Sequence, residues 1–330
     1  MLQMLSTRVL HAPVGGAPSG LAPQGPSGDA LVSLWWIMFW LATVIFVVVV
    51  ALLAVALVRR RELPLEHDGL SGERYAGGGN LLILVGGVAV PVVVVFVLML
   101  LLVTTGRDVR ALDAPEDAVV VELVGHQFWW DVRYPASQVR TANEIVIPVG
   151  RPVELQVTSA DVIHAFWVPQ LGPKIDLTPG EDNTLRLQAD EPGVYRGMCT
   201  EFCGIQHALM HAMVRAMPPE EFDAWVADRV AGPPEPEEAL AQEGRELFET
   251  AQCVACHTVD GVSPETDLGP DLTDFGSRLT LGAGVRPNDP EHLAAWIRDP
   301  HDVKPGNHMP PSALTDAELE ALVAYLETLE

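Results

Sequence analysis

The chain has 330 residues, of which 48% are apolar, and a formal charge of −24; this is more than one ordinary domain and too apolar for a disordered chain. Residues 1–106 hold five Lys/Arg and five Asp/Glu, and residues 107–330 hold 15 against 39, so no polybasic footprint for nucleic acid exists. The acidic part suits a basic protein partner drawn in by charge, or simply solubility.

Residues 1–29 are rich in Gly, Pro, Ala and Ser and are expected to form a flexible tail. Ala30 to Val58 carries no charge, with Trp35, Trp36 and Trp40 near its start and Arg59, Arg60 and Arg61 at its end. This run is long enough to cross a bilayer, the tryptophans suit an interfacial belt, and the arginines place the following loop inside. A second uncharged run, Leu81 to Val103, returns the chain outward, with a kink expected at Pro91. Residues 30–106 therefore read as a transmembrane helical hairpin. The competing readings, a buried helical pair or a cleavable signal, fit less well with two long runs behind a tail of this length.

Residues 107–231 contain short alternating segments: Val119–Val124, Glu144–Pro148, Pro152–Val157, Thr184–Gln188 and Val194–Met198. Their period of two, with Gly, Pro, Asp and Asn breaks, predicts an antiparallel β-sandwich or barrel. Gly125-His-Gln-Phe128-Trp129-Trp130 interrupts them, and Trp130 is an equal candidate for core and for function. Within this domain, Cys199-Thr-Glu-Phe-Cys203-Gly-Ile-Gln-His207-Ala-Leu-Met210 concentrates two thiols, an imidazole and a thioether. A further imidazole, His164, lies on an apolar strand-like run. Soft and borderline donors of this kind select copper over calcium or magnesium. One copper uses a single Cys, two His and a weak Met, so the second thiol points to two coppers bridged by sulfur. A disulfide, or one zinc held by both Cys and both His, is the competing use.

Ala231-Gly-Pro-Pro-Glu-Pro-Glu-Glu238 is a proline-rich acidic linker, which sets a domain boundary near residue 232. Residues 232–330 follow helical spacing. Cys253-Val-Ala-Cys256-His257 is the c-type haem attachment pattern, although zinc or a redox dithiol uses similar spacings. The distal ligand expected is Met309, the one Met after Met217, with His308 the runner-up and His292 and His301 behind it. Thr315-Asp-Ala-Glu318 is a capping box. Leu319, Leu322, Val323 and Leu326 form one apolar stripe.

The loop at 199–210, with His164 upstream, resembles the CuA site of subunit II of the haem-copper oxidases. That resemblance implies that Cys199 and Cys203 bridge two coppers, that His164 and His207 cap them, and that Met210 is the weak ligand. It implies the backbone carbonyl of Glu201 as a further donor, with the Glu201 side chain reaching a magnesium at the subunit I interface. It makes the sandwich a cupredoxin-like Greek key, gives Phe128 or Trp129 the role of electron input, and gives Asp161 a part in donor docking. Lys304 to Pro311 resembles the methionine loop of class I cytochromes c, and Gly269 to Leu272 their haem-edge loop. The chain as a whole is similar to subunit II of caa3-type cytochrome c oxidases.

The implied architecture is a two-helix transmembrane hairpin, an all-β cupredoxin-like domain and an all-α cytochrome c domain. The implied route runs from cytochrome c or a similar donor to haem c, then CuA, then subunit I, where oxygen is reduced and protons are pumped. Partners are subunit I, subunit III and membrane lipid, with no nucleic acid. The implied location is a bacterial inner membrane, with the copper and haem domains on its outer face. One departure stands out: Leu84 replaces the Glu that many such chains carry at a proton-channel mouth, with Glu66 or Glu73 as substitutes. A nitric oxide reductase subunit and a freestanding electron carrier are the alternatives.

Overall fold

The computed structural model describes residues 18–59, 79–110 and 118–330. Arg60, Arg61, Glu66 and Glu73, and most of the expected tail, lie outside the described residues. Two compact units emerge, residues 29–111 and the remainder.

In the first unit, α1 (Pro26–Val58) and the segment Val85–Arg107 are both long and apolar enough to cross a membrane. Their side chains are nearly all exposed aliphatic or aromatic groups, as a lipid-facing helix requires. Trp35, Trp36, Phe39 and Trp40 stack along one end of α1. The second span is α2 (Gly79–Leu84), a π-helical turn (Val85–Ala89) and α3 (Val90–Arg110). The expected irregularity at Pro91 takes the form of that turn. A proline cannot donate to the carbonyl four residues back and its ring crowds that carbonyl, here Gly87, so the helix widens just before it.

The second unit begins before α1. Gln24 N–H donates to Gln170 O (2.8 Å) and Gln24 O accepts from Asp190 N–H (2.9 Å), and Ser27 is buried. Residues 24–28, expected within a flexible tail, thus lie against the sandwich.

The sandwich has ten strands: β1 (Val119–His126), β2 (Trp129–Tyr134), β3 (Val139–Ala142), β4 (Glu144–Pro148), β5 (Val153–Ser159), β6 (His164–Trp167), β7 (Ile175–Leu177), β8 (Asn183–Leu187), β9 (Gly193–Cys199) and β10 (His211–Met217). One sheet runs β3-β2-β1-β5-β8 and the other β4-β10-β9-β6-β7. The expected all-antiparallel pattern is corrected at two places, because β1 pairs with β5 and β4 with β10 in parallel. Greek-key connections that cross between sheets bring same-direction strands side by side, which hairpins cannot do. The core between the sheets includes Trp130, Phe166, Leu123, Ile145 and Leu155. Helix α4 (Pro219–Ala231), unforeseen from the sequence, closes one end: Trp225 meets Tyr134 edge to face at 5.2 Å.

The C-terminal domain is helical: α5 (Ala239–Thr250), a short ribbon of β11 (Thr280–Leu281) and β12 (Arg286–Pro287), α6 (Pro290–Arg298), α7 (Pro300–Val303) and α8 (Asp316–Glu327). A Cβ on Gly244 would strike the Ala321 carbonyl, so glycine is what lets α5 and α8 cross closely. The capping box forms at Thr315 and Glu318. Leu319, Leu322, Val323 and Leu326 are buried with Phe248 and Tyr325.

Candidate metal centre and haem-attachment motif

Strand register assembles the donor loop. Strand β9 ends at Cys199 and β10 starts at His211, so residues 200–210 are the tip of an antiparallel pair. Strand β6 pairs with the other side of β9, with Phe166 opposite Cys199, which brings His164 alongside the loop. Cys199 N–H donates to Met210 O, and Thr200 N–H to Ala165 O, both at 2.9 Å, tying both ends of the loop to the sheet.

Cys199 Sγ lies 3.7 Å from Cys203 Sγ, 3.8 Å from His164 Nδ1 and 3.3 Å from Glu201 O. Cys203 Sγ lies 3.8 Å from His207 Nδ1 and 3.9 Å from Met210 Sδ. Among the described residues, His164, Cys199 and Cys203 form a buried group with metal-binding geometry. The sulfurs are too far apart for a disulfide, whose bond is about 2.05 Å, and both cysteines are free. Six converging donors exceed the four of a closed zinc site.

The Cys199 thiol is pulled down to about 3, chiefly because the Cys203 thiol donates to its thiolate, with His164 assisting. Cys203 shifts upward because its proton is held in the hydrogen bond to Cys199, with burial and the Cys199 charge adding to the effect. A cation between the sulfurs would favour ionisation of both thiols, so metal uptake here would release protons. Burial lowers the His164 pKa, but Cys199 and the Asp161 carboxylate outweigh it and leave it raised.

Asp161 is exposed at the surface and also ties the site together. Its Oδ1 accepts from His164 Nε2 (2.8 Å) and Val162 N–H (2.6 Å), and its Oδ2 accepts from Gln127 N–H (2.6 Å). It therefore fixes the ring so that Nδ1 faces the sulfurs. Gln127 Nε2 in turn donates to Cys203 O at 2.6 Å. Phe128 and Trp129 are each only 8% exposed. Trp129 stacks on His126 at 4.4 Å, and Phe128 lies 5.8 Å from the His308 ring of the helical domain. Trp130 belongs to the core, edge-on to His164 and Phe166. The Glu201 carboxylate points outward, 3.9 Å from Lys174 Nζ.

In the helical domain, Cys253 and Cys256 lie on one tight turn (Gln252–Ala255 and its cap) and are half-buried and free. His257 Nδ1 donates to Pro270 O at 2.8 Å, which leaves Nε2 unprotonated. Burial lowers its pKa, favouring the neutral ring that an iron ligand must be. A Cβ on Gly269 would come within 2.8 Å of Cys256 O, so the Gly-Pro pair is what lets the second loop close on the motif. Met309 is half-buried, with its N–H on Asn307 Oδ1 (2.8 Å). Of the rival histidines, His292 is held by Asp289 at 2.7 Å and His308 faces Phe128. The free Cys253 and Cys256 and the neutral His257 ring fit a covalently held porphyrin.

Three carboxylates that make polar contacts between the domains carried no signal in the sequence. Asp267 bridges Arg133 (2.8 Å) and Arg140 (2.5 Å). Asp274 accepts from Thr141 Oγ1 (2.8 Å). Buried Glu144 accepts from Leu279 N–H (2.6 Å) and Thr280 N–H (3.1 Å). They join residues more than 120 positions apart, and no local pattern marks such partners.

Fold and donors together define the class: a cupredoxin-like domain with a soft-metal loop, followed by a c-type cytochrome domain. Residues 135–217 match the family described as cytochrome c oxidase subunit II, periplasmic domain, and residues 241–330 match the cytochrome c family. The first domain thus belongs to the cytochrome c oxidase subunit II family and the second to the cytochrome c family. Among relatives named cytochrome c oxidase subunit 2, that of Alkalihalophilus pseudofirmus is 44% identical, over 65% of this chain and 62% of its own length. That of Bacillus sp. strain PS3 is 35% identical, over 68% and 66%. That of Bacillus subtilis is 34% identical, over 65% and 63%. The chain spans just under two thirds of the length of these relatives. The copper domain's family implies CuA and the second domain's family implies haem c, and the donors described above fit both groups.

Proposed function

We propose that this chain is the electron-input subunit of a caa3-type cytochrome c oxidase, taking electrons from a cytochrome c or similar basic donor and delivering them to subunit I. The observation that carries this reading is the convergence of His164, Cys199, Cys203, His207, Met210 and the Glu201 carbonyl at one loop tip. Cys253 and Cys256 would hold haem c by thioether bonds, and His257 and Met309 would supply donors to its iron. When bound, the copper pair and the haem supply one-electron redox centres.

The protein's own contribution is rigidity and exclusion of water. Asp161 orients His164, Gln127 restrains the Cys203 carbonyl, and Pro270 fixes the His257 tautomer; such supporting contacts tune ligand basicity and geometry. The sulfurs lie buried at the loop tip, a setting that changes little between charge states. Phe128, which the helical domain meets through His308 and Lys304, and the buried Trp129 beside it would accept electrons from that domain rather than from a free donor. Glu201, exposed on the loop, would reach magnesium at the subunit I face. Oxygen reduction and proton pumping would belong to subunit I, with subunit III and lipid completing the complex in a bacterial inner membrane. We also propose the domain limits 30–106, 107–231 and 232–330.

Full-length protein purified in detergent should contain two coppers and one covalent haem, with near-infrared and paramagnetic signatures of a mixed-valence copper pair. A single copper, or a zinc, would overturn the reading. Copurification with subunit I, and oxygen consumption rather than nitric oxide reduction, separates the oxidase from a nitric oxide reductase. Purification without a partner would favour a freestanding carrier.

A further inference from the structure

Lys304 is 2% exposed, an unusual place for an ammonium group, which is costly to bury without partners. Its Nζ donates to two backbone carbonyls, Phe128 O in the copper domain (3.0 Å) and Gly282 O in its own domain (3.1 Å). Its backbone carbonyl is engaged too. Gln206, equally buried, lies in the copper loop beside His207, and its Nε2 donates to both Lys304 O and Pro305 O at 3.0 Å. Packing closes the same contact. A Cβ on Gly306 would stand 2.8 Å from Ile205 Cγ2, and His308 faces the Phe128 ring.

We propose that Lys304 and Gln206 form a two-way clasp that fixes the loop carrying Met309 against the loop carrying Cys203 and His207, setting how the two donor loops approach each other. Gln206 reaches the Lys304 loop directly, and Lys304 reaches Phe128 in the turn beside the copper loop, so the two loops are held together from both sides while these bonds persist. The connection continues through Phe128 to Gln127, whose side chain holds the Cys203 carbonyl. These two are positioning residues; neither touches a metal. Hydrogen bonds to backbone carbonyls suit this purpose because they leave every metal donor free. The significance for electron passage rests on the function proposed above, whereas the clasp itself does not.

The test compares Lys304→Gln and Gln206→Leu with the unaltered full-length protein carrying haem and copper. Amide hydrogen exchange over residues 203–207 and 304–309 should rise about tenfold in each variant, as expected when a buried hydrogen bond is lost. After rapid photochemical injection of one electron into the haem, its passage to the copper pair should slow by roughly 10- to 100-fold. In that step iron is oxidised and the copper pair reduced by one electron. Metal content and the haem and copper spectra should stay unchanged.

Unchanged exchange and rate in both variants would overturn the clasp, as would a lower melting temperature with exchange rising uniformly over the whole chain. If Lys304→Gln fails to fold, Gln206→Leu decides alone. If the unaltered protein lacks the copper-pair signature, the proposed function fails and the exchange data still decide the clasp.

Discussion

The copper loop and the haem segment gather their donors by opposite means. The sulfurs and imidazoles of residues 164–210 lie within contact of one another, placed by the register of β6, β9 and β10. Cys253, Cys256 and His257 share one local turn, while Met309 sits on a separate loop more than fifty residues later. A small ion needs all its donors at one point, so the tertiary fold must bring them there. A porphyrin would be tethered by covalent bonds at a local motif, so the surrounding fold need only be complementary to it.

The strongest challenge to this contrast is to remove one sulfur from each region. Cys203→Ala should abolish the copper pair while covalent haem remains at one per chain, and Cys253→Ala should do the reverse; metal analysis and pyridine haemochrome spectra decide. Loss of both groups in either variant would break the comparison. Next in size, Trp130→Ala should destabilise the sandwich by about 3–5 kcal/mol and loosen copper binding through His164, seen in thermal melts with and without copper.

Asp161→Asn should weaken copper affinity by roughly 10- to 100-fold, the usual effect of losing a group that orients a ligand, measured by competition with a chelator. Haem content should not respond.

The domain contact adds a pH test. Burial raises the Glu144 pKa to about 7, against the pull of Arg215 and Arg278. The folded chain therefore binds this proton more tightly than the unfolded one, and the contribution fades as pH rises from about 4.5 to about 7. Burial lowers the Lys304 pKa to about 7, so here the unfolded chain binds the proton more tightly and stability recovers from about pH 7 to about 10.5. Melting temperature should pass through a minimum near neutrality. Glu144→Gln should flatten the acidic limb; an unaltered limb would remove Glu144 from this account. The smallest effect expected is for Thr315→Ala, which removes the cap of α8 and should cost about 1 kcal/mol in the helical domain alone.

Much of this molecule was readable from local patterns. The uncharged runs, the sulfur-rich loop, the Cys-x-x-Cys-His motif and the capping box each fall within a few turns of chain. The strands around Trp129–Tyr134 and His211–Met217 were harder, because nearly every residue of β2 is buried and alternation disappears. Helix α4 is hard to read from sequence because its fully buried face is Phe222 and Trp225, with Val226 partly buried, among several charged residues.

Donor chemistry and helix caps are encoded by side chains a few positions apart, so linear order alone specifies them. The parallel pairing of β1 with β5, the cover over Phe128, the hydrogen bond from Gln127 to Asp161 and the burial of Lys304 depend on segments that are distant in the chain. Such contacts follow from which surfaces meet when sheets and domains pack, and no spacing rule carries that information.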